Sequence, residues 1–325
     1  MGASQNTTQQ SEYGSFNMSL NKTLYAPSET IKGKVQLDIS KQYAARDLTV
    51  EFTGNESINY KHMETETKTE EGKTVTVKEW KGTPSISPIC SIKQCVWNYL
   101  SEEQKDKIIE PGSYTVPFEL PVPSYAPSTC NITQDSYEKK MNAAIGYEVR
   151  GRLESTDDSK KHLGCSVPIS VYEPKKPEFF GSGRGNANIN KYYLFGRGES
   201  VLTCKLKDGN IINSQVLQGS LNINNLKCGR DITKIYFRIK ENLNIQGTPE
   251  YKKESTINSW EAAMRIAPRT DTTVPFSVTV PVNSNYVSVN GSKIKRTYSI
   301  EVEPDYPWCN NPKVVVPLHL SQYSS

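Results

Sequence analysis

The sequence contains no long hydrophobic run, and this absence bears on where the protein resides. No stretch of about 18 consecutive apolar residues occurs in the 325, so no segment is predicted to span a membrane as a helix. The N-terminus, MGASQNTTQQSEYGS, also lacks the apolar centre of a signal peptide. We therefore expect an intracellular protein that is cytoplasmic, or at most peripheral on an endosomal or plasma membrane.

Histidine is scarce, and the motifs of the commoner enzyme classes are missing. The three histidines are His62, His162 and His319, and none belongs to an HExxH metal-binding pattern. No GxSxG nucleophile motif and no Walker loop occurs either. We predict a protein with no catalytic residues and no cofactor. A paired-carboxylate hydrolase stays open at this point, because its residues meet only in the fold.

The seven cysteines form neither a metal-binding pattern nor a disulfide framework. Their number is odd and no CxxC pair occurs. We therefore expect buried or surface thiols rather than a zinc site. The cysteines are Cys90, Cys95, Cys130, Cys165, Cys204, Cys228 and Cys309.

A strong excess of charge is also absent, since the net charge is only +4. This value is too small to predict nucleic-acid binding. One segment is locally basic, with Glu241 and Glu250 as its acidic residues, and it is a candidate acidic-lipid or phosphate patch. A solvated strand face is the alternative interpretation. The basic residues are Lys234, Arg238, Lys240, Lys252 and Lys253.

The sequence does contain a repeated segment. Residues 115–123 read TVPFELPVP and residues 273–281 read TVPFSVTVP. In both copies apolar residues alternate, which is the period of a half-buried strand. Each copy also has a proline inside the run, Pro117 or Pro275, and this predicts an edge strand or a bulge.

The repeat extends through five matched segments in the same order, which predicts two copies of one β domain. GKVQLDI at Gly33 is matched by GSLNIN at Gly219, and later VPISV is matched by VPLHL. We expect two antiparallel β-sandwiches that superpose, with Phe118 on Phe276 and Tyr147 on Tyr298. Tyrosine, threonine and valine between frequent turn residues also favour an all-β, immunoglobulin-like fold.

The predicted organisation has four parts. Residues 1–13 are polar and are expected to be a disordered leader. Myristoylation of Gly2 is not expected, since Asn6 stands where the usual pattern has serine or threonine. The first domain is predicted at 14–173 and the second at 191–322. Between them, 174–190 has the composition of a linker, with a protease-sensitive bond near Gly183 or Arg184.

Two local predictions fall inside the first domain. Residues Lys61 to Lys78 are charged on both faces around a Glu71-Gly72 turn, which predicts a solvated hairpin. The segment Val96 to Ile109 is the one predicted helix, with a weak capping box at its start.

Several of these motifs are similar to one protein family. The Tyr25 to Leu37 segment, YAPSETIKGKVQL, resembles the opening of the arrestin N-domain, and ARDLTVEFTG at Ala45 resembles its next strand. PGSYTVPFELP at Pro111 and IGYEV at Ile145 continue the resemblance. The second half is similar in outline to the arrestin C-domain, so the resemblance to the arrestin and alpha-arrestin superfamily covers roughly residues 16–320.

The resemblance implies a cytosolic adaptor or scaffold. Such a protein binds membrane cargo or signalling proteins and links them to trafficking, endocytosis or ubiquitination machinery. No PPxY ligand for a ubiquitin ligase occurs, the nearest segment being Pro123-Ser124-Tyr125. The alternative is a structural subunit of a coat-like assembly, as in retromer, or of a cytoskeletal one.

The resemblance also implies how a partner is held. Arrestins bind tails at an edge of the N-domain, and an extended peptide adds a strand there through backbone hydrogen bonds. We expect Ser15 to Leu20 or its neighbouring strand to be this edge, because Ser15 to Leu20 contains no proline, few charges and polar alternation. The basic residue that senses phosphate in receptor-binding arrestins falls at about Pro168 here, so we expect binding to depend little on phosphorylation.

Overall fold

The structure of the protein is a computed structural model, and its chain divides into two compact units, Met1–Glu173 and Pro174–Ser325. We call them the first and the second domain. The residues described are 6–70, 73–96, 108–137, 139–156, 162–176, 182–191, 195–212, 216–247, 250–280, 286–309 and 311–321.

Twelve strands make up the described part of the first domain. They are β1 (Asn6–Ser11), β2 (Gly14–Leu20), β3 (Leu24–Tyr25), β4 (Thr30–Ile39), β5 (Tyr43–Glu70), β6 (Lys73–Lys81), β7 (Ser85–Cys95), β8 (Ile108–Ile109), β9 (Gly112–Pro121), β10 (Cys130–Asp135), β11 (Lys139–Ser155) and β12 (Leu163–Val171).

These strands form two sheets that face each other. One has the order β1-β2-β4-β9, and the other follows β3-β12-β11-β5-β6, with β7, β8 and β10 paired alongside. Alternate residues of each strand are buried, as Phe16 and Met18 of β2 and Phe52 of β5 show. A side chain at Gly151 of β11 would touch the Phe16 ring, so the two inner faces pack directly on each other.

Ten strands make up the described part of the second domain. They are β13 (Ser182–Lys191), β14 (Phe195–Leu206), β15 (Asn210–Ile212), β16 (Val216–Cys228), β17 (Ile232–Ile245), β18 (Tyr251–Ile266), β19 (Asp271–Thr279), β20 (Val289–Asn290), β21 (Ile294–Asp305) and β22 (Val314–Ser321).

The second domain repeats the strand order of the first. One sheet runs β13-β14-β16-β19, and the other follows β15-β22-β21-β17-β18 with β20 beside β21. The rings of Phe237 and Phe276 lie 4.9 Å apart between the sheets. The all-β prediction of two tandem sandwiches is therefore confirmed. Pairing is antiparallel except for β3 with β12 and β15 with β22, two short parallel contacts at matching places.

The register of the strands confirms the matched residues of the repeat. Phe118 lies opposite Gly33 in the first domain, and Phe276 lies opposite Gly219 in the second. A Cβ atom on Gly33 would come within 2.6 Å of the phenylalanine ring, and one on Gly219 within 2.5 Å. In both domains the glycine therefore makes room for a buried phenylalanine of the outer strand.

The tyrosines of the repeat also occupy matching positions. Tyr147 lies opposite Ile169 in the β11–β12 pair, and Tyr298 lies opposite Leu318 in the β21–β22 pair. Ile169 and Leu318 each follow the proline of the repeated Val-Pro motif. Both tyrosines are buried, so the five matched segments correspond to one shared scaffold.

The structure corrects the prediction of a disordered leader for residues 6–13, while residues 1–5 lie outside the described residues. Residues Asn6–Ser11 form β1, which pairs along its whole length with β2. The segment NTTQQS has no apolar side chains to bury, so its polarity predicted disorder. An edge strand needs only backbone partners, and β2 supplies them.

The predicted linker over 174–190 is too long. Residues Ser182–Lys191 form β13, which pairs with β14 in register from Ser182↔Lys205 onwards. Gly183 and Arg184, where a protease-sensitive bond was predicted, therefore lie in a strand. Glycine and asparagine suggested a linker, but β13 is the outer strand of its sheet and pairs with β14 through the backbone.

The hairpin prediction is confirmed and the helix prediction is partly wrong. Strands β5 and β6 pair from His62↔Lys81 to Glu70↔Lys73, around the predicted turn. At the end of the predicted helix, Ile108–Ile109 is a short strand that pairs with β5. The centre of that prediction, 97–107, lies outside the described residues.

Candidate protein-interaction edge of the first domain

The four-stranded sheet of the first domain has two outer strands, and one of them is blocked. Strand β9 lies at one end of the order and carries Pro117 at an exposed position. Proline has no N–H to donate, so it interrupts the ladder that a partner strand would form. In the second domain Pro275 has the same place in β19. The predicted edge position of both prolines is confirmed.

The opposite outer strand, β1, is open. It contains neither proline nor a charged residue, and Thr8, Gln9 and Gln10 are exposed. Within the described chain, β1 pairs with β2 alone. Its outer row of backbone N–H and C=O groups is therefore available for a further strand.

This placement decides between the two strands that the sequence left open, since the outer strand is β1, the neighbour of Ser15 to Leu20. Strand β2 has β4 on one side and β1 on the other, so neither of its edges is free. Sequence reasoning missed β1 because the segment has no apolar alternation. The available signals were the β-branched pair Thr7-Thr8 and Gly14, which has a positive φ of 140° at the start of β2.

Strand β1 is held mainly by backbone hydrogen bonds and few side chains. Thr8 Oγ1 donates to Asn17 Oδ1 at 3.1 Å, and Gln9 Oε1 accepts from the backbone N–H of Gly164 at 2.7 Å. No apolar side chain occurs in the strand. Because little apolar surface is buried, the strand contributes little to the stability of the domain.

A shallow cavity of about 290 Å³ lies beside Gln9, where β1 meets β11 and β12. Its rim is basic, with Arg150, Arg152 and His162. Arg150 is bonded to Glu148, and Arg152 lies 3.8 Å from Glu154. Carboxylates on the same strand therefore offset both guanidinium groups.

Pro168 is exposed in β12, opposite Glu148. Pro168 is the residue at which the resemblance predicts the phosphate sensor, and its side chain is not basic. Independence from phosphorylation stays a prediction, and the pairing of Arg150 with Glu148 agrees with it.

The five basic residues of the candidate patch lie on β17 and β18, and at least four of them contact carboxylates. The ammonium of Lys234 lies 2.7 Å from Glu261, and Arg238 contacts both Glu301 and Glu303. Carboxylates thus offset much of the positive charge. Lys240 pairs with Glu254 and Lys252 with Glu250, while Lys253 stands opposite Leu243 in the strand pair. The acidic-lipid or phosphate hypothesis for these residues stays a prediction.

Metal binding and thiol catalysis find little support in the described part of the chain. It holds no group of three histidine, cysteine, aspartate or glutamate side chains that could bind a metal ion. Burial raises the pKa of the Cys90 thiol to about 11 and that of Cys204 to about 12. These thiols are therefore protonated and poor nucleophiles at neutral pH.

The described residues include no helix long and apolar enough to cross a bilayer.

Comparison with known families agrees with the geometry. Residues 15–174 match the model of the arrestin (or S-antigen) N-terminal domain, and residues 197–324 match that of the arrestin (or S-antigen) C-terminal domain. No curated protein matches the chain. The two matches follow each other in the expected order, and the border between them agrees with that between the two structural units to within one residue at the end of the first match. With both domains matched over most of its length, the chain belongs to the arrestin family.

Proposed function

We propose that the protein is a non-enzymatic adaptor of the cytoplasm. It binds the cytoplasmic tails of membrane cargo or signalling proteins and links them to trafficking or ubiquitination machinery. Arrestin-family proteins are in general adaptors that bind other proteins. The observation that carries the proposal is the open edge of β1, which contrasts with the proline-guarded edges at Pro117 and Pro275.

The proposed mechanism is strand addition. An extended tail lies along β1 and forms backbone hydrogen bonds with its outer row, while its alternate side chains meet the sheet surface and the cavity beside Gln9. Backbone hydrogen bonds carry little sequence information. Specificity for a tail therefore arises from the side chains that reach the cavity rim of Arg150, Arg152 and His162.

Affinity purification of the full chain, followed by mass spectrometry, tests the proposal. The purification is done with and without detergent. Receptors or transporters recovered only with detergent support an adaptor for membrane cargo. A stoichiometric assembly that is the same in both conditions would instead indicate a structural subunit of a coat-like or cytoskeletal complex.

A pair of proline variants tests the edge itself. Successive N–H groups of an edge strand point alternately toward and away from the neighbouring strand. Thr7→Pro and Thr8→Pro therefore remove one inward and one outward donor of β1, while Thr8→Ala keeps both. We expect at least one proline variant to change the affinity for a recovered tail about tenfold, roughly the value of one lost hydrogen bond. Unchanged affinity in both proline variants would contradict strand addition at β1.

A further inference from the structure

The hairpin of β5 and β6 extends beyond the rest of its sheet. Pairing between β5 and β11 ends at His62↔Lys139, and pairing with β7 ends at Ile58↔Ser85. Beyond that point the described part of the chain pairs β5 with β6 alone, through eight residue pairs from Met63↔Trp80 to Glu70↔Lys73. This two-stranded ribbon, which we call the arm, is roughly 26 Å long at the usual rise of a strand.

The two faces of the arm differ in charge. On one face, the ammonium of Lys81 lies 2.9 Å from Glu64 and also bonds Glu66, while His62 Nε2 lies 2.9 Å from Glu64. Glu79 lies directly opposite Glu64 on the same face. Among the described side chains of the arm on this face, carboxylates outnumber ammonium groups, and Lys81 is bound to two of these carboxylates.

The other face combines lysines with aromatic rings. Lys78 and Trp80 alternate along β6 with Glu79 and Lys81, so their side chains lie on the other face. Lys61 lies opposite Lys140 across β5 and β11. The Lys140 ammonium is 5.2 Å from the centre of the Trp80 ring, and that of Lys78 is 5.6 Å from the centre of the Tyr137 ring. We call these five residues the lysine–aromatic face.

The charge of the lysine–aromatic face is exposed and little compensated. All five side chains are exposed, Tyr137 to 74%. Within the described residues, none of the three lysines forms an ion pair with a carboxylate. Asp135 lies opposite Lys140 across β10 and β11 and is the nearest acidic neighbour in register. The two cation–π contacts orient the ammonium groups but leave their charge in place.

We propose that the lysine–aromatic face binds a membrane surface that carries anionic lipids. Tryptophan and tyrosine are enriched at the membrane–water interface, where their rings lie at the level of the headgroups. Lysine is a point charge on a flexible stem, which suits a diffuse layer of lipid phosphates, whereas docking of a single phosphopeptide favours the planar fork of arginine. The face contains lysines and no arginine.

This inference goes beyond the proposed function, since it concerns lipid rather than a protein partner. Each lysine near an anionic surface strengthens binding about fivefold. Loss of three lysines is therefore expected to weaken binding on the order of 100-fold at low salt. The attraction acts over about one Debye length, so high salt should suppress it.

Sedimentation of the full chain with phosphatidylcholine vesicles, with and without phosphatidylserine, tests the proposal. The variant Lys61→Gln/Lys78→Gln/Lys140→Gln removes the charge of the face. Its matched control changes three exposed lysines of the second domain and loses the same net charge. The control substitutions are Lys207→Gln, Lys227→Gln and Lys295→Gln.

We expect binding that requires phosphatidylserine, a loss on the order of 100-fold in the first variant, and a loss of only a few fold in the control. The corresponding triple lysine-to-arginine variant should retain binding, which shows that the arm remains folded. Trp80→Ala should weaken binding further through lost interfacial contact.

Three outcomes would overturn the inference. One is equal loss in the two glutamine variants, which would reflect net charge alone. Another is binding that is the same without phosphatidylserine. The third is tight binding of polyglutamate to the same lysines with none of the vesicles, which would assign the face to an acidic polypeptide.

Discussion

The two domains share a scaffold, and they differ in how they use charge. In the first domain, Tyr147 lies opposite Gly54 and its hydroxyl donates to the carbonyl of Pro127 at 2.8 Å. In the second, Tyr298 lies opposite Glu241 and donates to its carboxylate at 3.4 Å. Burial raises the pKa of both phenols. The equivalent tyrosine thus donates to a backbone carbonyl in one domain and to a carboxylate in the other.

This ionic site belongs to a wider pattern in the second domain. The guanidinium of Arg296 lies 2.5 Å from Glu241, and both side chains are 7% exposed. On the surface, Arg238 contacts Glu301 and Glu303. The buried pair of Glu241 and Arg296 thus adds to surface ion pairs of a kind that the first domain also has, such as Lys22 with Glu29 at 2.8 Å.

The largest expected effect tests the shared scaffold. Phe118→Ala and Phe276→Ala should each destabilise their own domain by about 3–5 kcal/mol, since both rings fill the core beside a glycine. Phe118 is the more buried, so its replacement should cost more. Alkylation of Cys90 during urea unfolding reports the first domain, and that of Cys204 reports the second. An effect confined to the wrong domain would contradict the assignment.

The next effect tests the buried ion pair of the second domain. Arg296→Met leaves the Glu241 carboxylate buried without its cation, and should destabilise the second domain by about 3 kcal/mol. This cost is at the low end of the range for removing one partner of a buried ion pair, because Ser255 still donates to Glu241 at 2.8 Å. The double variant Arg296→Met/Glu241→Leu should recover most of this loss, and exposed Lys295→Met should change little. A larger loss in the double variant would contradict the account.

A smaller effect tests whether the two glycines are equivalent. Gly33→Ala and Gly219→Ala each place a Cβ within 3 Å of a phenylalanine ring and of a backbone oxygen. We expect destabilisation of about 1–3 kcal/mol in each case. Gly146→Ala is the control, because no atom lies within 4 Å of its added Cβ. Cysteine alkylation during urea unfolding again measures the stability of each domain. Unequal losses of unfolding free energy in the two variants would count against the structural equivalence of Gly33 and Gly219.

The smallest expected effect concerns phosphate. With Pro168 at the position of the sensor, phosphorylated and unmodified forms of a recovered tail should bind with affinities less than about tenfold apart, roughly 1.4 kcal/mol. Titration of matched peptides at physiological salt measures the difference. A greater preference would reveal a phosphate site, with the basic residues from Lys234 to Lys253 as the first to be replaced.

Much of the scaffold could be predicted from sequence, because buried alternation is a strong signal. Phe118, Phe276 and their glycines were visible as a repeat, and the prolines correctly indicated edge strands. The outer strands β1 and β13 could not be predicted in this way. Their polar residues pair through the backbone, and backbone pairing leaves no pattern in the side chains.

The surfaces were harder to predict than the core. The lysines of the lysine–aromatic face and those of the second domain look alike in sequence. In the structure, however, Lys234 is paired with Glu261, whereas Lys140 lies over the Trp80 ring. Which charges are offset depends on cross-strand neighbours far apart in the chain. The register of the strands supplies that information, and composition does not.

The most direct test of the central claim, that partners bind at the edge of β1, is photo-crosslinking in cells. A photoreactive amino acid is placed at Thr8 of β1, and in separate proteins at the exposed Thr115 of β9 and Thr279 of β19. The account predicts crosslinks to membrane-protein tails mainly from Thr8. Equal or stronger crosslinking of those tails from Thr115 or Thr279 would contradict it.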